Sequence, residues 1–281
     1  MKIVRFQTGF VQIKSRHERA RYEAHGARVL DVLVDRNWSP RLPIYCWLIE
    51  HPDGLIMVDT GESLHANDRG YQPWWHPFMR TCERRWVTHE EEVGAQLKKL
   101  GHRPTDVRWI VMTHMHGDHA GGLPNFPKSE ILLSREQVKL ALGPMGPVEG
   151  YLNMHYPKWL KPREIAFDDG AWESFDQSAL LTKDGAVRIV PTPGHVAGHV
   201  SVVVEDSDAL VFLAGDASYS ETSLMESAVD GVAASARQHH DTTARIRQLC
   251  NRRSVITQFA HDPDNERRFI ERIATRPNVP T

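Results

Sequence analysis

The run Thr113 to Gly122 reads T-H-M-H-G-D-H-A-G-G and places His114, His116, Asp118 and His119 within six residues. Imidazole nitrogens and a carboxylate are ligands for zinc or a similar borderline divalent ion, and no sulfur is needed. Alternation along a turn sends His114 and His116 to one side and Asp118 and His119 to the other, so the spacing points to two adjacent ions. Two ions need more than four ligands. His195 in T-P-G-H, Asp216 in G-D-A and His261 in A-H-D supply three more. The division that follows puts His114, His116 and His195 on one ion and Asp118, His119 and His261 on the other. Asp216 and a hydroxide would bridge ions about 3.5 to 4 Å apart. Zinc is the first choice, and cobalt, manganese and iron also tolerate such ligands. The chain's 16 histidines outnumber its 6 tyrosines and 9 phenylalanines combined.

Every candidate ligand follows an apolar run, so the elements that must position them are strands whose ends gather at one rim, where loops carry function over a rigid scaffold. The first 60 residues carry β-like runs at Lys2 to Ile13, Ala27 to Val34, Pro43 to Glu50 and Gly54 to Val58. Thr88 and Glu91 have capping-box spacing and open a helix bearing Val93, Leu97 and Leu100, ended by Gly101. Val107 to Met112 is short and branched enough for a buried strand. In the second half, strands at Val187 to Val190, Val200 to Val204, Ala209 to Leu213 and Val255 to Phe259 alternate with the ligand motifs. Helices are predicted from about Ser235 to Cys250 and from Asn265 to Ala274. Residues 64–88, with Tyr71, Trp74, Trp75, Phe78 and Trp86 among prolines and arginines, fit neither the helical nor the strand period and read as an aromatic-rich insertion. No Gly-, Ser- or Pro-rich linker divides the chain, which predicts a single domain over residues 1–281 with two sheets sandwiched between helices.

The composition narrows the partners. With 281 residues, 41% hydrophobic and 25% charged, the chain is an ordinary globular one. Its formal net charge of −2 provides no global field for nucleic acid or an anionic membrane, so a small molecule is the expected partner. No apolar stretch approaches the roughly 20 residues needed to span a bilayer. Met1 to Arg21 mixes charge throughout and lacks the apolar centre of a signal peptide, so the chain reads as cytoplasmic. Cys46, Cys82 and Cys250, odd in number and scattered, fit reduced thiols.

H-x-H-x-D-H followed by T-P-G-H, a G-D and a C-terminal His resembles the metallo-β-lactamase superfamily over nearly the whole chain. The resemblance implies an α+β fold, the αββα sandwich. Val58-Asp59-Thr60-Gly61 looks like that superfamily's early D-T-G turn, whose aspartate holds a ligating imidazole from behind. His199 looks like a structural counterpart in the same way.

Within that superfamily, Gly215-Asp216-Ala217-Ser218-Tyr219 is similar to the N-acyl-homoserine lactonases, in which a tyrosine at that spacing faces the substrate carbonyl. Phe259-Ala260-His261-Asp262 resembles their terminal ligand segment. The implied activity is lactone-ring opening by a metal-bridging hydroxide. Tyr219 would donate to the developing oxyanion, and Asp118 would carry the proton to the leaving oxygen. Gly117 departs from the pattern, since several lactonases carry a larger residue there. The aromatic segment is the candidate for shaping the pocket instead, as an acyl-chain channel or as a homodimer contact.

A glyoxalase-type thioesterase shares the ligands and ranks second, but it would carry a longer basic extension than the residues after His261. A nuclease or phosphodiesterase would want a basic track. A persulfide dioxygenase, from another reaction class, resembles the motifs but uses a single iron. A flavin-linked di-iron reductase would need a further domain.

Overall fold

The computed structural model describes residues 1–276. They fall into two compact units, Met1–Ile13 with Trp38–Ile165, and Lys14–Asn37 with Ala166 onward.

The first unit is built on a seven-stranded mixed sheet. Its strands are β1 (Lys2–Ile13), β2 (Leu42–His51), β3 (Gly54–Val58), β4 (Glu83–Trp86), β5 (Val107–Val111), β6 (Glu130–Leu133) and β7 (Arg163–Glu164), in the order β4-β1-β2-β3-β5-β6-β7. β2 lies between β1 and β3, and nine of its ten residues are buried, as its unbroken apolar run requires. β3, β5 and β6 run parallel, with Val58 opposite Val111. The ends of β3 and β5 therefore lie side by side, and the D-T-G turn and the histidine motif begin at the same rim. The Thr88 cap forms as expected, its amide donating to Glu91 Oε2 at 2.8 Å. The helix that follows, Val93–Lys99, buries Val93 and Leu97.

The second unit holds a five-stranded sheet of β8 (Ala179–Leu180), β9 (Val187–Pro191), β10 (Val200–Asp206), β11 (Ala209–Gly215) and β12 (Val255–Phe259), in the order β12-β11-β10-β9-β8. β9 and β11 are each antiparallel to β10, and β12 is parallel to β11. β9, β11 and β12 consequently point the same way, so their C-terminal ends share one edge. Helix Ala236–Arg252 is capped by Ser235, whose Oγ accepts from the Gln238 amide at 3.2 Å. It buries Ile246 and Leu249 in one apolar core with Val203, Phe212, Val255 and Phe259 of the sheet. Mixed sheets with helices make the fold α+β.

Three local expectations are corrected. Ala27 to Val34 lies in a helix, His25–Val34, rather than a strand. Its buried residues, Arg28 and Val32, are four apart, and the Arg28 guanidinium donates to the carbonyls of Glu23 and Ala233. Leu30 and Val34 remain exposed, so the β-branched composition was outweighed by an anchoring charge. Within residues 64–88, Glu83–Trp86 joins the main sheet as β4 on the edge of β1. A charged four-residue edge strand carries no apolar alternation to betray it. The last helix is shorter than expected, Asn265–Ile270.

Among the described residues no helix is long and apolar enough to cross a membrane. All three cysteines are buried and unbonded to one another.

Candidate metal centre

Asp59 organises the imidazoles of the first unit. It leaves β3 with φ of +59°, a left-handed conformation that costs a non-glycine residue energy and is held by its surroundings. Its amide donates to Val111 O at 3.0 Å. Its Oδ1 accepts from the Thr113 amide at 2.7 Å, and its Oδ2 accepts from Thr113 Oγ1 at 2.8 Å. Oδ2 also stands 2.8 Å from His119 Nδ1, which donates to it. Thr113 Oγ1, its hydrogen committed to Asp59, accepts from His114 Nδ1 at 3.1 Å. One carboxylate thus fixes two rings, and both imidazoles keep Nε2 as the lone-pair nitrogen. His114 and His119 are fully buried, with ring centroids 4.0 Å apart. His114 Nε2 and His116 Nδ1 face each other at 3.0 Å.

The short helix Gly117–Ala120 carries Asp118 and His119. It is clasped by the D-T-G turn, since the Thr60 amide and hydroxyl both donate to His119 O at 2.8 Å. Gly61 is needed for that clasp: φ is +71°, and a Cβ there would lie 2.1 Å from Thr8 Oγ1. Beside the helix Glu62 is fully buried, with Arg85 Nε 3.1 Å from its Oε2. Burial pushes the Glu62 carboxyl up to about 7 against the pull of that guanidinium.

In the second unit the three strand ends deliver His195, Asp216 and His261. Asp216 presents one oxygen to each histidine: Oδ2 is 3.6 Å from His195 Nε2 and Oδ1 is 3.5 Å from His261 Nε2. These gaps are too long for good hydrogen bonds. They suit ligands of shared ions, because two atoms each about 2.1 Å from a tetrahedral zinc sit roughly 3.4 Å apart. His195 Nδ1 donates to Asp230 Oδ2 at 3.1 Å, which again reserves Nε2. Gly194 lets the T-P-G-H turn approach helix Ala236–Arg252. Its φ is +150°, and a Cβ there would lie 2.5 Å from His239 Cα.

His199 uses both ring nitrogens inside the protein. Nε2 accepts the Asp216 amide at 3.1 Å, while Nδ1 donates to Thr192 Oγ1 at 2.9 Å. Asp262 anchors the loop after His261 by accepting from the Glu221 amide at 2.9 Å and from Arg268 Nη2 at 2.6 Å. The Tyr219 ring stacks on His261, with centroids 5.5 Å apart and 25° between planes.

Asp230, Thr113 and Asp262 carry no motif of their own. Thr113 and Asp262 had a signal in their places beside His114 and His261, and Asp230 had none. The space next to Gly117 is shaped by Leu152 Cδ1 and Arg85 Nη1, which lie 3.4 and 3.7 Å from where a Cβ would stand. Among the aromatic residues of 64–88, Tyr71 stacks on His155 at 4.0 Å, Arg41 covers Trp86 at 4.0 Å, and Trp74 is 80% exposed.

The profile of the metallo-beta-lactamase superfamily matches residues 39–252, and the chain belongs to that superfamily. Among its curated relatives, a probable metallo-hydrolase of Mycobacterium tuberculosis is 30% identical over 233 residues, covering 77% of this chain and 74% of the relative. An N-acyl homoserine lactonase, AttM, of Agrobacterium fabrum is 27% identical over 229 residues, covering 79% and 83%. The solved structure of an N-acyl homoserine lactone hydrolase, with N-hexanoyl-L-homoserine bound at its catalytic metal centre, matches with a TM-score of 0.76 at 24% identity over 95% of both chains. The fold is therefore the metallo-β-lactamase fold, and the protein is similar to metallo-hydrolases that include lactonases.

Proposed function

We propose that this protein is a dinuclear metal-dependent hydrolase that opens the lactone ring of N-acyl-homoserine lactones. The observation that carries the reading is Asp216, whose two oxygens are each met by a different imidazole Nε2 with the Tyr219 phenol stacked alongside. A carboxylate so placed suits a bridge between two ions. The donor set fits divalent ions on its chemistry as well, since the rings of His114, His119 and His195 each have Nδ1 committed to a protein acceptor. We assign His114, His116 and His195 to one ion, and Asp118, His119 and His261 to the other, with Asp216 common to both.

Two divalent ions held by these residues, probed first as zinc, would supply a deprotonated water at neutral pH and positive charge for the developing oxyanion. The residues supply the rest. Tyr219 O–H donates to the lactone carbonyl and strengthens that bond as negative charge grows on the oxygen. Asp118 takes the remaining proton of the attacking hydroxide and returns it to the ring oxygen as the C–O bond breaks, leaving a carboxylate and an alcohol. The product is an N-acyl-homoserine with a free carboxylate and a free hydroxyl.

The AttM relative's name and the lactone hydrolase structure's bound product support this substrate class. The test is metal analysis of the purified protein together with a panel of N-acyl-homoserine lactones, thioesters and phosphodiesters. Ring opening with two metals per chain is expected. Preferred cleavage of thioesters would move the assignment to the glyoxalase type, and oxygen-dependent persulfide oxidation with one iron would overturn the hydrolase.

A further inference from the structure

His17 lies outside the residues that match the superfamily profile, on the four-residue helix Ser15–Glu18. β1 ends just before it, yet His17 belongs to the second unit. Backbone bonds clamp it there. The Ala20 amide donates to Val229 O at 2.8 Å, and the Gly231 amide donates to His17 O at 2.7 Å. The approach is backbone to backbone, because a Cβ on Gly231 would lie 2.2 Å from Arg16 O. Held this way, His17 is only 5% exposed. Its ring meets the Tyr219 ring at 80°, with centroids 5.9 Å apart.

Three imidazoles surround the Tyr219 phenol. His261 stacks on it, while His195 meets it at 82° with centroids 6.4 Å apart. Both of those rings are assigned above as metal ligands, and coordination would fix them. His17 has no such assignment and completes the cage from a separate segment of the chain. An edge-to-face contact is directional, since the positive ring edge of one partner faces the negative π face of the other. It adds to the contacts of His261 and His195 a closer edge-on restraint, at 5.9 Å, on swinging of the phenol about Cα–Cβ.

We propose that His17 is a positioning residue for Tyr219, its ring contact holding the phenol where its hydroxyl meets the substrate carbonyl. This rests on the reading of Tyr219 as the oxyanion donor. A misplacement on the order of 1 Å can cost about 10²-fold in rate, so partial loss of aim is worth roughly tenfold.

The experiment uses the metal-loaded enzyme with His17→Ala and His17→Phe, each alone and combined with Tyr219→Phe, and N-hexanoyl-homoserine lactone as substrate. In parallel, 3-fluorotyrosine labelling reports the chain's 6 tyrosines by 19F NMR, with the Tyr219 line assigned by its loss in Tyr219→Phe. His17→Ala is expected to lower kcat about tenfold with KM nearly unchanged, and to move the Tyr219 line. His17→Phe, which keeps a ring, should recover most of both. In the Tyr219→Phe background His17→Ala should cost nothing further, because residues acting through one contact are not additive. A Tyr219 line unmoved by His17→Ala, or an equal kcat loss with and without the Tyr219 hydroxyl, overturns the proposal. If the parent opens no lactone, the substrate reading has failed instead, and the 19F line alone decides whether His17 holds Tyr219.

Discussion

Asp230 Oδ2 accepts a hydrogen bond from His195 Nδ1 at 3.1 Å, across 35 residues of sequence and in full burial. The Asp59–His119 pair repeats the relationship at 2.8 Å in the other unit. Each carboxylate selects the tautomer that turns Nε2 outward and raises the basicity of the ring. The neighbouring imidazoles of His195 and His239 hold Asp230 below the usual carboxylate range despite its burial.

Asp230→Asn keeps the volume and removes the charge. The bound metal should weaken by about 10- to 100-fold, read by competition with a chelator of known affinity. Asp59→Asn should do the same. Unchanged affinity in both variants would show that neither carboxylate tunes a ligand.

Asp216 is assigned to both ions, whereas His119 and His261 are each assigned to one. His119→Ala and His261→Ala should fall toward one metal per chain, and Asp216→Ala should lose occupancy at both positions. Elemental analysis after dialysis separates the two patterns. Retention of both ions by Asp216→Ala would remove the bridge from the assignment.

Tyr219→Phe keeps the ring that stacks on His261 and deletes one donor. Its kcat/KM on lactones should drop by up to about 10²-fold, and by less where a metal shares the oxyanion charge. Metal content and Tm should stay as in the parent. Equal lactone turnover by the variant would take the phenol out of the mechanism.

Two glycines predict opposite stability changes. Gly194→Ala forces a Cβ to within 2.5 Å of His239 Cα at φ of +150°, so it should destabilise the protein by about 1–3 kcal/mol or more. Gly26 sits in helix His25–Val34 with nothing within 4 Å of an added Cβ. Gly26→Ala should therefore stabilise by about 0.4–1 kcal/mol, through the lost freedom of the unfolded chain. Denaturant midpoints test both.

Trp74 and Trp75 are 80% and 44% exposed. If they line an acyl channel, Trp75→Ala should flatten the gain in kcat/KM with chain length, each buried methylene being worth about 0.8 kcal/mol. An unchanged slope with a shift from dimer to monomer in gel filtration would place them in a subunit contact.

The sequence by itself determined which groups could bind metal and where most strands end. The apolar runs and turn signals around Gly54–Val58, Val107–Val111 and Val255–Phe259 are local, and a motif follows each. Only the tertiary structure decided what those ends meet. The common direction of β9, β11 and β12 comes from their pairing through β10 and β11, and it is this that sets His195 and His261 on opposite oxygens of Asp216. The tautomer of His195 depends on Asp230, which no spacing rule connects to it. The helix at His25–Val34 and the seat of His17 depend on partners some 200 residues away, Ala233 and Gly231. A hydrogen bond or ring contact between distant segments leaves no periodicity in either of them, so burial and geometry alone reveal it.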